Sequence, residues 1–423
     1  MKQIVVIGAG FGGLNAARIL CHAKDVHVTL VDERNYYLFL PLLYQVAVGA
    51  LSPDDIAVPI RAVFSRYPNV SVLQKKVESV DLKRKCVVLQ DREIPYDHLV
   101  MACGARQTYF GHENWEGIAP GLKTLEQAAE IRDRILGAFE RAEVAVDEDI
   151  KRKLLTFVVV GGGPTGVELS GAIAEMAHRV LSKDFRNINI HNTKVILIEA
   201  GPRILAPFSE DLSLQAARDL QAVGVLVRTS LSVTGVDENG VDVPGERIEA
   251  GTVIWAAGIR ASKLNQALGL DLDRQGRVAV EPDLTLKDHP EVLVIGDQSS
   301  CTDDKTQKPL ASLAAVAMQE GVCAAQNILR TIQGKPTKTF RYFDRGQAVT
   351  VGQGRAIVQT ATLKLSGLMA WIIWLAVHLW FLTGAINRVS VVIKWFWTYV
   401  RHHHGARMIL AKDWRFYPPD AGK

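Results

Sequence analysis

Short apolar runs, each closed by glycines and followed by a stretch with helical spacing, recur along this chain. Residues 4–7 are all apolar, glycines follow, residues 13–23 have helical spacing, and residues 26–31 form a second mostly apolar run. Runs of this length between turn signals predict strands buried on both faces, and the order predicts a βαβ unit. A further strand is predicted at 97–101, closing the first segment, and a polar stretch over 121–143 reads as a linking helix. The opening pattern then returns: a strand at 155–160, a glycine turn, a helix to about residue 181, and strands at 194–198 and 252–255. A third apolar strand, 292–295, runs into Gly296-Asp297, and a helix is predicted over roughly 312–332. Strands alternating with helices predict parallel sheets covered by helices. The two βαβ openings amount to an internal duplication.

Beyond residue 360 the pattern changes. Across 367–386 the only clearly polar side chains are His378 and Thr383, and six of the eight tryptophans (Trp371, Trp374, Trp380, Trp395, Trp397, Trp414) lie after residue 370. A stretch of that length suits a bilayer crossing or a buried helix, whereas dense tryptophan favours the membrane–water boundary. Val389, Val392, Ile393, Phe396 and Val400 follow at helical spacing beside Arg388, Lys394 and Arg401. That suits a helix lying in the interface of an anionic leaflet. The expectation is a peripheral, monotopic attachment; a true span and a soluble or dimerising tail are the alternatives. Adjacent side chains on a helix point apart, so His402-His403-His404 is read as interfacial or solvated, and no metal is expected.

Composition adds little except through its distribution. The chain has 423 residues, 48% hydrophobic and 22% charged, enough for two or three folded domains. Its net charge of +4 is too small to argue for nucleic acid. From Ala385 onward seven basic residues (Arg388, Lys394, Arg401, Arg407, Lys412, Arg415, Lys423) stand against Asp413 and Asp420, so the positive bias belongs to the tail. Five cysteines without a CxxC pair predict free thiols in a reducing compartment. No basic, apolar, cleavable leader opens the chain, so the body is expected in the cytoplasm.

Candidate chemistry sits in the glycine turns. Gly8-Ala9-Gly10-Phe11-Gly12-Gly13 is GxGxxG between a strand and a helix. Gly8 permits the turn, Gly10 lets backbone approach a pyrophosphate, and Gly13 lets helix and strand pack closely. The helix N-terminus then offers N–H donors to phosphate. Asp32, 19 residues past Gly13, is placed to accept from ribose hydroxyls. The second fingerprint is Gly161, Gly163 and Gly166, with Glu199 ending the next strand 33 residues past Gly166. A carboxylate there repels a 2′-phosphate, which points to NADH over NADPH, although Arg203 lies nearby in sequence. Two dinucleotide sites in one chain have a natural division of labour: one holds a flavin and the other receives a nicotinamide, so that a hydride can pass between them. Asp297 is a candidate contact to the ribityl chain of FAD. The small-residue turns 102–105 and 256–258, with Gly104 and Gly258, allow chain crossing close to a cofactor. Cys103, in the first of them, reads more readily as a small buried residue than as a reactive thiol.

With these motifs the chain resembles the type II NADH dehydrogenases, single-chain NADH:quinone oxidoreductases that pump no protons. The resemblance covers nearly the whole chain. It is most specific at 4–13, at Asn35-Tyr36-Tyr37 with 41–47, at 159–168, and in the tail over 340–409. It implies an α/β architecture of two Rossmann-like dinucleotide-binding domains with a C-terminal amphipathic, membrane-anchoring tail. The expected segments are an FAD domain from 1–118 and 259–335, an NADH domain over 119–258, and a membrane-association region over 336–423. FAD is implied at Gly8, Gly10, Gly13, Asp32 and Asp297, and NADH at Gly161, Gly163, Gly166 and Glu199. Glu168 is implied near the nicotinamide; as an acid in a first helical turn it is equally read as complementing the helix dipole. The family's quinone-side motif has two glutamines four residues apart. This chain keeps the second as Gln319 and has Ala315 for the first, which puts quinone identity and affinity in doubt. Membrane quinone and an anionic lipid surface are the implied partners, at the cytoplasmic face of the cell membrane; a homodimer is left open. A sulfide:quinone oxidoreductase is the first rival, but no cysteine lies near the second glycine loop. A disulfide reductase is the second, set aside because no CxxC follows the first fingerprint, and a membrane-anchored NADH sensor with poor quinone turnover is the third.

Overall fold

The computed structural model describes residues 1–304, 306–401 and 405–409. The first sheet grows from β1 (Lys2–Ile7), which runs through a glycine turn into α1 (Phe11–Leu20) and returns as β2 (Val26–Asp32). β1 and β2 pair in parallel from Lys2↔Val26 to Ile7↔Val31. β3 (Val70–Gln74) extends the sheet beyond β2, and β4 (His98–Met101) pairs with β1 on its other side. All four residues of β4 are buried, as expected for a parallel strand covered on both faces.

The chain then leaves this sheet through α2 (Leu125–Val144). Thr124 caps it: its side chain accepts from the Gln127 N–H at 3.1 Å, while the Gln127 side chain accepts from the Lys123 N–H at 2.8 Å. The second sheet follows with β5 (Thr156–Val160), α3 (Pro164–Glu175), β6 (Lys194–Ile198), β7 (Val225–Arg228) and β8 (Thr252–Trp255), ordered β7-β6-β5-β8. Helix is predicted to about residue 181. The α-helix itself ends at Glu175, and the path continues as a π-turn, Met176–Val180, and a 3₁₀ turn, Leu181–Lys183.

The chain returns to the first sheet as β9 (His289–Val294), which pairs with β4 at Val292↔Leu99. That sheet is therefore assembled from the two ends of a long excursion. α4 (Ala314–Ile332) packs on α1, and their contact is close because of glycine: a Cβ on Gly321 would lie 2.2 Å from the Gly12 carbonyl oxygen.

The tail is built differently from a single apolar stretch. An antiparallel meander, β10 (Gln347–Gly352), β11 (Arg355–Gln359) and β12 (Lys364–Ser366), leads into α5 (Gly367–Phe381) and α6 (Ala385–Arg401). Leu382 is extended and Gly384 has φ +95°, so the apolar run breaks between the two helices. Among the described residues no helix is long and apolar enough to cross a membrane. His378 and Trp374 face inward; their rings stack at 4.1 Å, and His378 Nδ1 lies 2.8 Å from the Trp374 carbonyl oxygen. Trp395 is also buried, its indole N–H donating to Gln45 at 2.8 Å. Part of the tryptophan density is thus core. Lys394 is likewise turned inward, pairing with buried Asp55 at 2.6 Å and donating to Ser52 at 3.0 Å. The expectations for His402 to His404, Lys412, Asp413, Trp414, Arg415, Asp420 and Lys423 lie outside the described residues.

Candidate functional site

The two glycine fingerprints fold into near-copies of one another. Gly8 (φ +93°) and Gly161 (φ +110°) occupy conformations that favour glycine, and a Cβ on either would strike the crossing chain, at 2.3 Å from the Ala102 carbonyl oxygen and 2.7 Å from the Ala257 nitrogen. A Cβ on Gly13 or Gly166 would lie 1.8 Å from the carbonyl oxygen of Gly8 or Gly161. Gly10 and Gly163 are the opposite case: nothing lies within 4 Å of their Cβ positions. Each stands immediately before its helix with that open space in front of it, as close approach of a pyrophosphate requires.

Each loop is tied to the carboxylate that ends the second strand. Asp32 accepts from the Ala9 N–H at 2.6 Å and the Arg34 N–H at 2.8 Å. Glu199 accepts from the Gly162 and Gly201 N–H groups, both at 2.6 Å. Burial raises the Asp32 carboxyl above its ordinary pKa, against the pull of its N–H donors and Arg34. Arg203 turns away, donating to the carbonyls of Phe208 at 2.6 Å and Ala206 at 2.7 Å. The residues present fit two dinucleotides: bare backbone where phosphates approach, helix N-termini behind it, and a carboxylate at the ribose end of each loop.

The two small-residue turns meet. Residues 105–107 pair antiparallel with residues 259–261, from Ala105↔Ala261 to Gln107↔Ile259, joining the two halves of the molecule beside Gly104 and Gly258. Gly104 (φ +64°) faces open space, whereas a Cβ on Gly258 (φ +71°) would meet the Phe110 ring at 2.4 Å. Gln107 donates to the carbonyls of Ala257 at 2.5 Å and Gly258 at 2.7 Å. The fully buried Gln298 accepts from the Cys103 N–H at 2.5 Å and donates to Asn265 at 2.7 Å. These amides hold the crossings in register. The motif pattern did not reveal them, because a buried Gln or Asn has no periodicity of its own. Cys103 is half-buried and desolvation pushes its thiol up to about 12, so it stays protonated at neutral pH. The five cysteines are unpaired. Asp297 follows Gly296 (φ +69°); burial raises its carboxyl, and Lys123 and Arg277 oppose the rise. Behind it Glu320, 1% exposed, accepts from the Gly296 N–H, and burial pushes its carboxyl to about 8.

Glu168 lies on α3 against a small cavity of about 60 Å³ lined also by Tyr44, Gln45, Glu175, Thr350 and Tyr399. Burial lifts its carboxyl to about 8, only partly opposed by the Thr350 N–H at 3.4 Å and the neighbouring Trp374 indole. Glu175, on the same cavity, is also raised by burial. Gln319 lies elsewhere. It lines a larger cavity, and both ends of its amide bridge to the Phe343 backbone at 3.0 Å. Glu168 and Gln319 are therefore not brought to one cavity wall.

Residues 2–321 match the family model of the pyridine nucleotide-disulphide oxidoreductases. Among relatives, the chain is 42% identical over 411 residues to the type II NADH:quinone oxidoreductase NdhA of Mycobacterium tuberculosis, covering 93% of this chain and 86% of the relative. The chain belongs to the type II NADH:quinone oxidoreductase family, within the pyridine nucleotide-disulphide oxidoreductases. The oxidoreductase Ndh of the same organism is 40% identical over 419 residues, covering 95% of this chain and 89% of the relative. Among solved structures, the NDH2 of Plasmodium falciparum in complex with NADH superposes with a TM-score of 0.88 at 20% identity, over 97% of this chain and 100% of that one. The sulfide:quinone oxidoreductase of Aquifex aeolicus superposes at 0.73, also at 20% identity, over 90% and 91%. Both of these likenesses speak to the fold.

Proposed function

We propose that this chain is an FAD-dependent NADH:quinone oxidoreductase that pumps no protons. The observation that carries the reading is the pair of matched loops, each with open space at its middle glycine and an anchored carboxylate at its strand end. FAD, when bound, accepts a hydride from NADH and passes two electrons on to quinone. Gly8, Gly10 and Gly13 form its phosphate cradle, Asp32 its ribose contact, and Asp297 and Gly104 border its further reach. Gly161, Gly163 and Gly166 cradle NADH, and Glu199 selects the unphosphorylated ribose. With Gly258 they hold the nicotinamide against the crossing strands. Residues 1–118 and 259–335 form the FAD domain, 119–258 the NADH domain and 336–423 the membrane-association region.

The side chains near the chemistry bind, orient and hold protons. Glu168 keeps a proton on its carboxyl at neutral pH, so it can donate a hydrogen bond to a neighbouring oxygen, and the Thr350 N–H orients it. Gln319 fixes the segment after Phe340 beside the quinone side, leaving quinone fewer polar partners than a chain with a glutamine at Ala315 would offer. The exposed apolar face of α5 and α6 carries Leu368, Met369, Ile372, Trp380, Ile386, Val389 and Phe396. It lays the chain on the cytoplasmic face of the cell membrane as a monotopic protein, where quinone resides. The test is turnover in sealed vesicles that carry quinone and a trapped pH dye. NADH should be consumed only when quinone is present, with no pH difference building up. NADH-driven acidification, or consumption independent of quinone, would overturn the reading.

A further inference from the structure

A second cavity, about 660 Å³ in volume, lies between α1, α4 and the turn that joins α5 to α6. None of Gly8, Gly10, Gly13, Asp32 or Asp297 lines it, so it is separate from the first dinucleotide cradle, and Gln319, assigned above to the quinone side, stands on its wall. Its wall carries five cations, Arg18, Lys338, Arg341, Arg345 and Arg388, and no acidic side chain among the described residues. Arg341 has one long ion pair, to Asp304 at 3.5 Å. Arg388 is held in place by donating to the carbonyls of Leu382 at 2.8 Å and Trp380 at 3.1 Å, at the C-terminal end of α5 and just past it. Arg345 rests over the Phe381 ring, 5.5 Å from its centroid. Like charges gathered around one cavity repel, and an anion placed among them relieves that repulsion. Arginine forks suit phosphate oxygens in particular.

The mouth of the cavity tells a lipid phosphate from a free one. Trp380 lines it and is 75% exposed, and Ile386, on the next turn, is 85% exposed. Both belong to the helical hairpin whose apolar face is open. Tryptophan settles at the headgroup level of a bilayer. A phosphodiester seated among the five cations would therefore leave its acyl chains running over the apolar face of α5 and α6. We propose that this cavity is a binding site for the phosphodiester headgroup of an anionic phospholipid. The proposal rests on the membrane attachment inferred above.

The test uses FAD-loaded full-length protein and dihexanoyl phosphatidylglycerol below its micelle-forming concentration. Calorimetry should show saturable binding, and the double variant Arg18→Gln/Lys338→Gln should bind at least about tenfold more weakly, since each basic group near a lipid surface contributes about fivefold. Dihexanoyl phosphatidylcholine should bind far more weakly than the glycerol lipid. Absence of saturable binding, equal binding by the variant, or equally tight binding of inorganic phosphate would overturn the proposal. Flavin content and Tm of the variant should match the wild type; if they do not, Lys338→Gln alone, at an exposed position, serves instead. Flotation on phosphatidylcholine–phosphatidylglycerol vesicles separates the two readings. A protein that floats but does not bind the soluble lipid keeps its attachment and loses this site. One that binds the soluble lipid but never floats keeps the site and loses the attachment.

Discussion

Gly10 and Gly13 stand three residues apart in one turn and carry opposite demands. Gly13 is needed for packing, since a Cβ there would collide with the Gly8 carbonyl, so Gly13→Ala should cost about 3 kcal/mol or more and lower the yield of folded protein. Gly10 has a φ of −74° and empty space at its Cβ position. Gly10→Ala should therefore leave the apoprotein within about 0.5 kcal/mol of wild type yet reduce flavin affinity at least about tenfold, read by Tm and by flavin titration. A full flavin load in that variant would mean the open space is not where phosphate sits. Glu199→Arg should raise the NADPH-to-NADH ratio of kcat/KM by about tenfold or more; an unchanged ratio would move the ribose contact elsewhere. Glu168 gives a prediction in pH. Its folded pKa of about 8 lies above the ordinary 4.5, so the native state binds the extra proton, and stability falls as pH rises between those values. Glu168→Gln stays neutral throughout, so its Tm advantage over wild type should grow from about pH 5 to pH 8 and then level off. The glycine and carboxylate partners of both loops were legible in the sequence because each follows from a backbone rule. Gln298, Asn265 and Glu320 were not, because a buried polar side chain is chosen by whatever unpaired groups the fold brings to it.

At the scale of elements, most strands and helices of the two sheets followed from periodicity, though β3 and β7 did not; in the tail the helical spacing of 389–400 anticipated α6, but not the break that precedes it. A run of twenty mostly apolar residues is ambiguous between one long helix and two shorter ones. Extended Leu382 and left-handed Gly384 decide for two. Helical spacing likewise does not tell which polar residue faces the protein: His378 and Lys394 point inward, toward Trp374 and Asp55. Asp55 also accepts from Ser390 at 2.6 Å, and Asn387 donates to the Asp54 carbonyl at 2.7 Å and the Asp55 carbonyl at 2.9 Å. This cluster docks α6. Asp55→Ala leaves the Lys394 ammonium without its carboxylate and should cost about 1–3 kcal/mol, with faster proteolysis within 385–401; Asp55→Asn should recover part of the loss. Protease resistance equal to wild type would show that apolar contacts alone hold the helix. The docking also makes removal of everything after Phe340 a poor test of membrane attachment. β10 packs tightly on α3, where a Cβ on Gly171 would lie 1.9 Å from the Val351 carbonyl oxygen. Aspartate at Ile386, Val389 and Phe396, all at least half exposed, is the cleaner perturbation. It should release the protein from vesicles without altering NADH affinity.

At the scale of the molecule, the first sheet is completed by a strand that arrives nearly 200 residues after its neighbour, with Val292 beside Leu99. The intervening excursion is itself a βαβ unit with its own cradle, and the short pairing of residues 105–107 with 259–261 brings the two crossings side by side. The duplication was visible in the chain as two fingerprints, but their mutual placement is tied by that three-residue pairing and by Gln107, which donates to the Ala257 and Gly258 carbonyls and has no local signature. On the proposed function, two dinucleotides approach one another across this placement, and the function stands on it. It is tested most directly by following the flavin absorbance of the purified protein under anaerobic conditions, first on mixing with NADH and then on mixing with a short-chain quinone. The account predicts that NADH bleaches the yellow colour and that quinone restores it, each within the turnover time. A protein that stays yellow with NADH, or one that is bleached and not recoloured by quinone, would contradict it.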